Sequence, residues 1–353
     1  MNIYDPYKFL GFPDNISAFH ERRIVAPVHI RIKPINHCNH GCWYCAYRAG
    51  QLALGENMDL RDRIPDEKMV EIVDDVIEMG VKAITFSGGG EPLLYKSLPN
   101  HVRRLSENGV RVATLTNGSN LKNVVADAFA NHGTWVRVSI DGWDDESYAN
   151  NRGIKVGEFS KVVQNMRDFV DRKSQCTLGV SFIIDEKNCH HIFDACQLFK
   201  DIGVAHVKLS AAFVANELHD NTRYHQRTAQ VATAQIETAQ TLNSEKFRIV
   251  NHYHEMERRF DKPYQTCPFM QFLTVIGADC SVYTCQDKAY TNDGYLGSIA
   301  DRRLSDVWYS DNLRDRIFGL NPQKTCNHHC VAHQKNIILH EMQSVDQAHQ
   351  PFV

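Results

Sequence analysis

The sequence predicts an α/β chain: a partial (β/α)6 parallel barrel followed by a small C-terminal α+β domain. Two observations predict the barrel. Short apolar runs alternate with amphipathic stretches of helical period, the order that makes a parallel sheet with right-handed crossovers. The alternation runs to six units, too few to close an eight-stranded barrel, so the sheet is expected to stay open. A third observation predicts the smaller domain, since a hairpin pattern replaces the alternation after Leu242. The expected organisation is an N-terminal extension over 1–25, the barrel over 26–215, a helical linker with the sixth helix over 216–264, and the second domain over 265–353.

The elements follow in order. Val28–Ile32 alternates with period two and reads as the first strand. Pro65 opens a helix with Met69, Ile72, Val73, Val76 and Ile77 on one face, and Gly80 ends it. Strands are expected at Val81–Phe86, Val110–Thr116, Trp135–Ile140, Leu178–Ile184 and Val207–Ser210, the last of the series. Helices are expected at Leu98–Asn108, Leu121–Ala130, Gly157–Val170, His191–Ile202 and, as the sixth, Asn221–Leu242. In the second domain, Phe272–Ile276 and Ser281–Thr284 flank a Gly277-Ala278-Asp279 turn, and a helix is expected over Leu304–Phe318.

Bulk composition excludes several classes. The 353 residues are 43% hydrophobic and 23% charged, ordinary for a globular protein, with a formal net charge of -3. That balance predicts neither a nucleic-acid nor a membrane partner. No apolar run reaches the length of a bilayer span, and Met1–Phe12 lacks the apolar core of a signal peptide. Eleven cysteines without a secretory signal point to a reducing cytoplasm and metal ligation rather than disulfides. Cys176, Cys189 and Cys196 are scattered and read as core residues.

The chemistry concentrates in the loop after the first strand. Cys38, Cys42 and Cys45 form C-x3-C-x2-C, three thiolates for one metal centre with a coordination position left over. Zinc is the competing reading, with His37 or His40 as fourth ligand. Ser87-Gly88-Gly89-Gly90-Glu91-Pro92 directly follows the second strand. Three glycines permit close backbone approach, and Glu91 offers a negative charge suited to an ammonium group.

These motifs, in this order, resemble the radical S-adenosylmethionine (SAM) superfamily. Cys38, Cys42 and Cys45, with Tyr44 before the third cysteine, are similar to its cluster triplet, and Gly88-Gly89-Gly90-Glu91 to its second-strand motif. Thr116-Asn117-Gly118 ends the third strand as in many members. Val138-Ser139-Ile140-Asp141-Gly142, with Arg152 after it, is similar to a stretch of the subgroup with auxiliary clusters. The resemblance implies a [4Fe-4S] cluster whose open iron is chelated by SAM. It implies reductive cleavage to methionine and a 5'-deoxyadenosyl radical, and abstraction of a substrate hydrogen. Gly88, Gly89, Gly90 and Glu91 are then expected at the methionine amine, with Tyr44, Asn117, Ser139 and Arg152 as further cofactor contacts. An electron donor such as flavodoxin or ferredoxin is implied as partner.

A second cysteine set lies downstream. Cys267 and Cys285 flank the expected hairpin, Cys280 lies between them, and Cys326 and Cys330 follow. Four thiols suit a fully ligated cluster or a structural zinc, for which His328, His329 and His333 are further candidates. The run from Cys267 through Tyr295-Leu296-Gly297-Ser298-Ile299 and Leu304-Ser305-Asp306-Val307-Trp308 resembles the auxiliary-cluster extension called SPASM, or its shorter twitch form. That implies one auxiliary [4Fe-4S] cluster on Cys267, Cys285, Cys326 and Cys330. Cys280 stands where the extension usually has glycine, and is kept as an alternative ligand. Asp287 is the candidate general base beside it.

The substrate is less legible. About 25 residues precede the first strand, too few for a leader-peptide recognition domain, so a small molecule such as a sugar or aminocyclitol is expected, oxidised or epimerised. The layout also resembles the molybdenum-cofactor GTP cyclase. The end of the chain, Asp346–Val353, lacks that enzyme's arginine- and glycine-rich tail, and GTP cyclisation is not expected. Arg223, His225, His252 and His254, between the two domains, are candidate substrate contacts. The alternatives are a peptide- or protein-modifying radical enzyme and, from another class, a zinc-stabilised binding protein without catalysis.

Overall fold

A computed structural model describes all residues except 1, 2, 53, 256–258, 347, 350, 351 and 353. Ten strands form one sheet: β1 His29–Ile32, β2 Ala83–Phe86, β3 Arg111–Thr116, β4 Gly133–Ser139, β5 Thr177–Ile184, β6 His206–Ala211, β7 Arg248–Asn251, β8 Leu273–Ile276, β9 Ser281–Tyr283 and β10 Tyr295–Ser298. Their order is β10-β9-β8-β1-β2-β3-β4-β5-β6-β7. Every pairing from β8 through β1 to β7 is parallel, while β8–β9 and β9–β10 are antiparallel.

The two faces of the strands have different chemistry, as period-two alternation requires. Ile30, Ile32, Ile84, Phe86, Val136, Val138, Val180, Phe182, Val207 and Leu209 are fully buried and form the main core with the helices. Met69, Ile72, Val73 and Val76 of the helix Asp66–Glu78 join that core, as their helical spacing predicts. Cys176, Cys189 and Cys196 lie in it too.

Four local readings are corrected. The series does not end at the sixth strand: β7 adds a seventh, a four-residue segment in which Ile249 is buried and Val250 stands directly beside it, so no period-two alternation marks it. The single helix expected over Asn221–Leu242 is two, Leu218–His225 and Ala229–Gln240, because the Thr228 hydroxyl takes up the His225 carbonyl at the break. The helix expected over Leu304–Phe318 is also two, Leu304–Trp308 and Asp311–Gly319, with Ser310 capping the second through its bond from the Leu313 amide. A helix the sequence reading omitted, Asp145–Arg152, starts with a reciprocal Asp144–Ser147 capping box and ends at Gly153, whose φ of +58° suits glycine.

Residues 265–353 are tied to the barrel through the sheet itself, since β8 lies in register with β1 (Arg31 opposite Val275). Two side chains reinforce the attachment. Trp308 is fully buried and donates its indole N–H to the Val25 carbonyl at 2.8 Å. Asp75, buried in the helix Asp66–Glu78, accepts from the Leu304 amide at 2.8 Å, the Ser305 hydroxyl at 3.1 Å and Arg303. It therefore caps a helix that lies more than two hundred residues away in sequence. Asp75→Ala should lower unfolding free energy by about 2 kcal/mol, because it orphans the buried Leu304 amide; exposed Arg303 keeps its bond to Glu78 and adds nothing to the loss. Urea denaturation measures this, and a loss within about 0.5 kcal/mol, as at an indifferent surface site, would contradict the capping role.

Candidate active site

At the C-terminal end of β1 the chain enters the cysteine loop, which is stitched down on three sides. The Gly90 amide donates to Ile35 O at 3.1 Å and the Glu91 amide to His37 O at 3.0 Å. The Gly41 amide donates to Arg152 O at 2.7 Å, at the end of the helix Asp145–Arg152. A Cβ on Gly90 would stand 2.0 Å from the His37 carbonyl oxygen, and one on Gly89 2.1 Å from the Asn36 side chain. The glycine run is therefore demanded by its contact with the cysteine loop as well as by any ligand it receives.

Cys38, Cys42 and Cys45 are free and half-buried. Polar hydrogens point at two of the sulfurs: the His40 amide lies 3.4 Å and Asn117 Nδ2 4.0 Å from Cys38 Sγ, and Arg152 Nη1 3.5 Å from Cys42 Sγ. Donors so placed would stabilise thiolates that hold a cluster. Without one, burial pushes the Cys38 thiol up to about 11 and raises Cys42, against the pull of Arg152.

The candidate cofactor contacts divide. Glu91 is fully buried and already accepts three bonds, from Leu93 N at 3.0 Å, Thr116 Oγ1 at 2.6 Å and Asn117 N at 2.7 Å. Burial raises its pKa and these bonds oppose the rise. Its carboxylate fastens the second-strand loop to the end of β3, leaving about one acceptor position for a ligand. Asn117 donates to Asn39 Oδ1 at 2.9 Å beside Cys38. Arg152 pairs with the buried Asp141 at 2.9 Å, and Tyr44 donates its hydroxyl to the other Asp141 oxygen. Burial works against the Arg152 charge, yet Asp141, Tyr44 and Cys42 hold its pKa above the ordinary value. Ser139 ends β4, half-buried and level with Ser181 of β5.

The second thiol set is assembled from a hairpin and a turn. Cys267, Cys285, Cys326 and Cys330 are free and half-buried. Burial first, then Asp287, and after it Cys330, Cys326 and Cys267, push Cys285 well up, so the other three thiols lie within electrostatic reach of Cys285. Asn336 Nδ2 donates to Cys267 Sγ at 3.2 Å. Four thiols with a donor alongside suit, by their chemistry, a fully ligated cluster. Cys280 stands apart: the groups acting on its thiol, after burial, are Asp279, Lys68, Asp62 and Glu71. Its φ of +56° explains why glycine is common at this place. His329 packs on Phe213 and His333 bonds Tyr264, while His328 bonds the His329 carbonyl. His40 lies edge-on to Tyr148, and His37 is exposed. Among the described residues no group of three or more His, Cys, Asp or Glu side chains is arranged to hold a single metal ion.

Comparison with known proteins bears on both thiol sets. The radical SAM superfamily model matches residues 32–192, and an iron–sulfur cluster-binding domain, SPASM, matches 267–331. The chain belongs to the radical SAM superfamily. The two domains together imply a SAM-bound [4Fe-4S] cluster and auxiliary cluster binding. The chain is 33% identical over 120 residues to a SAM-dependent nucleotide dehydratase of Lacinutrix mariniflava, a match covering 34% of this chain and 24% of the dehydratase. It is 23% identical over 312 residues to the Fe-coproporphyrin III synthase of Methanosarcina barkeri, covering 81% of this chain and 74% of that one. Among solved structures, Streptococcus suis SuiB bound to precursor peptide SuiA superposes with a TM-score of 0.61 at 16% identity, covering 89% of this chain and 72% of SuiB. That likeness is one of fold.

Within the radical SAM barrel, several residues join the site that sequence reading did not single out. Lys33, at the exit of β1, is buried and donates to Gly88 O at 2.6 Å and Tyr47 Oη at 2.7 Å. Tyr47 in turn donates to Gln286 O at 2.7 Å, next to Cys285 and Asp287. Asp287 is half-buried and accepts from the Val331 amide at 3.3 Å. Burial, then Arg31, bring the Lys33 pKa down to about 7, while Asp287, Cys45 and Cys285 oppose that shift. Lys33 thus stands between the two thiol sets. Of the four candidate substrate contacts, Arg223, His225 and His254 line one hollow of about 620 Å³ with Tyr253. His252 is elsewhere, 2.9 Å from Arg259 and against Tyr4.

Iron counting separates Cys280 from the auxiliary set. After anaerobic reconstitution the wild type should hold about eight irons and Cys285→Ser about four, as two four-iron clusters require. Cys280→Ser should keep about eight; a fall to about four would make Cys280 a ligand.

Proposed function

We propose that this chain is a radical SAM enzyme that reductively cleaves SAM and abstracts a C–H hydrogen from a small molecule such as a sugar or aminocyclitol, oxidising or epimerising it. The observation that carries the reading is the placement of two thiol sets with hydrogen-bond donors beside them at opposite ends of the strand pair β1–β8, Cys38, Cys42 and Cys45 beyond Ile32 and Cys267 and Cys285 toward His29, with Lys33 within electrostatic reach of both. Bound at the first set, the open cluster and SAM supply the 5'-deoxyadenosyl radical.

The chain's own residues supply position, charge and a proton site. Glu91 locks the glycine loop against β3 by its three bonds, so the surface offered to the methionine end of SAM is preformed. Arg152 carries a positive charge to within 3.5 Å of Cys42 Sγ without being itself unpaired, since Asp141 neutralises it. Asp287 stands next to Cys285 and faces Lys33, where a carboxylate could take the proton released when a substrate radical is oxidised. Cys267, Cys285, Cys326 and Cys330 would hold the auxiliary cluster, which would supply an electron acceptor beside that carboxylate. The external reductant is a small electron carrier of flavodoxin or ferredoxin type.

Relatives support small-molecule chemistry, in that the dehydratase and the synthase are named for a nucleotide and a porphyrin. Among the described residues no helix is long and apolar enough to cross a membrane.

The reconstituted protein, given SAM and dithionite under anaerobic conditions, should release 5'-deoxyadenosine, and Cys42→Ala should release none. A protein that loads zinc in place of iron and forms no nucleoside would refute the reading. Deuterium carried from a labelled candidate substrate into 5'-deoxyadenosine identifies the carbon attacked. Asp287→Asn should then slow product formation about a hundredfold or more while leaving that deuterium transfer in place, as loss of a general base predicts.

A further inference from the structure

The face of the sheet opposite the apolar core is cationic. Register places Arg31 level with Thr85, Ala113 and Trp135, and Arg137, two residues beyond Trp135, level with Gly179 and His206. Lys208, two residues beyond His206, is level with Ser181 and Ser139. Strand side chains two apart share a face, so Arg31 of β1, Arg137 of β4 and Lys208 of β6 point to the same interior. A Cβ on Gly179 would stand 2.1 Å from the His206 ring, so the missing side chain there leaves room for a polar one.

The interior has unanswered donors. Among the described residues, Arg31 Nε, Arg137 Nε, His206 Nδ1 and Ser210 Oγ are buried on this face without a hydrogen-bond partner. Buried polar groups are ordinarily satisfied, and those left over call for an explanation. Like charges are also collected here. Burial, then Arg137, Arg259, Arg31 and Lys335, push the Lys208 pKa far down. Asp287 and the Cys285 thiol favour the Arg31 charge, while burial and Arg137 work against it. The floor is closed by Tyr4, which accepts from Arg137 Nη1 at 2.8 Å and meets His206 Nε2 at 3.1 Å.

We propose that this interior is the substrate's anchoring site, where Arg31, Arg137 and Lys208 hold a small molecule bearing at least two anionic groups, a diphosphate or paired carboxylates, with its reacting carbon toward the cysteine loop. The inference rests on the function proposed above and narrows it: the sugar-like substrate is carried as a polyanion. Direction along the strands supports the orientation. Arg31 precedes Lys33 and the cysteine loop on the same chain segment, and Arg137 precedes Ser139, so the cations lie deeper than the strand ends that carry Cys38, Cys42 and Cys45, on the side toward Cys285. Guanidinium groups match phosphate and carboxylate oxygens in pairs, and a site out of bulk water strengthens each contact. The anion would also relieve the repulsion that the folded chain otherwise bears.

The test is calorimetric, on the reconstituted protein with both clusters, using uridine 5'-diphosphate and tricarballylate as probes and acetate as the monoanion control. The wild type should bind one of the two polyanions in preference to acetate. Diphosphate alone assigns a phosphate-ester substrate, and tricarballylate alone a polycarboxylate. Lys208→Met and Arg31→Gln should each weaken that binding about tenfold or more, the loss of one charge-assisted contact. Arg61→Gln, at an exposed surface arginine, should leave it unchanged. Lys208→Met should also raise the thermal midpoint without ligand, which distinguishes loss of a binding charge from damage to the fold. No polyanion binding by the wild type, or equal binding by both interior variants, overturns the proposal. Because binding is read without turnover, the two readings fail separately. A protein that binds diphosphate but releases no 5'-deoxyadenosine loses the enzymatic reading alone, and one that releases the nucleoside but binds no polyanion loses the anchoring site alone.

Discussion

Lys33 is fastened to every loop the site needs. Its amide donates to Ile276 O at 2.8 Å and so joins β1 to β8. Its ammonium donates to Gly88 O at the glycine loop and to Tyr47 on the cysteine loop, whose hydroxyl bonds Gln286 beside the auxiliary thiols. Four segments distant in sequence are positioned by one side chain and one ring. A buried ammonium is costly unless its hydrogen bonds are made. Here two bonds and the face of Tyr47, 4.0 Å from Nζ, answer it. The cost explains the direction of its pKa. It also explains why such a residue serves to fix geometry, since any arrangement that loses one partner leaves a charge stranded.

The same reasoning extends to Arg152 and Asp141. The pair is buried, and Tyr44 occupies the second carboxylate oxygen. A buried ion pair contributes little net stability, but it is expensive to break. Its effect is to hold one guanidinium nitrogen at Cys42 and one aromatic ring beside Cys45. Lys33 bonds Tyr47 just past Cys45 and Arg152 reaches Cys42, so cationic charge meets the loop at two of its thiols. Cluster thiolates carry negative charge, and both cations are better accommodated with a cluster present than in its absence.

Much of this was legible in the sequence, and the misses have physical reasons. The parallel alternation and its main helices follow from period and punctuation, and the cysteines from spacing. The break near His225 depends on where Thr228 sends its hydroxyl, which periodicity does not report. Strand β7 is four residues long with Ile249 and Val250 adjacent, so it shows no alternation to read, and it pairs with β6 at the edge of the sheet. The helix before Gly153 did leave a local trace in Asp144, Ser147 and the glycine, but its apolar face is too weak to draw attention. Lys33 and Asp141 were missed for another cause: a charge at a strand end reads as solvated unless its partners are known, and those partners come from residues 47, 88 and 152. Of the residues expected at substrate, three share a hollow outside the cysteine loop, while Arg31, Arg137 and Lys208 were passed over as ordinary strand polar positions. Alternation marks which residues share a face, but not whether that face meets water or the inside of a barrel.

The sheet itself limits how the two thiol sets can be arranged. A domain joined by a flexible linker could place a second cluster at many distances from the first. Here β8 pairs with β1 residue for residue, and the hairpin that continues from β8 carries Cys285 just past β9. The spacing between thiol sets is then a property of strand geometry, as fixed as the 4.7–4.9 Å separation of neighbouring strands. A slip of one residue would turn His29 and Arg31 toward the helices and Ile30 and Ile32 toward the interior. That would bury charge among apolar side chains and leave the interior without its cations. Register is accordingly enforced twice, by the apolar face that must remain dry and by the cationic face that must remain open to a ligand. The arrangement that keeps the core intact is the one that holds the cysteine loop and Cys285 at opposite ends of β1 and β8, with Arg31 on the face between them.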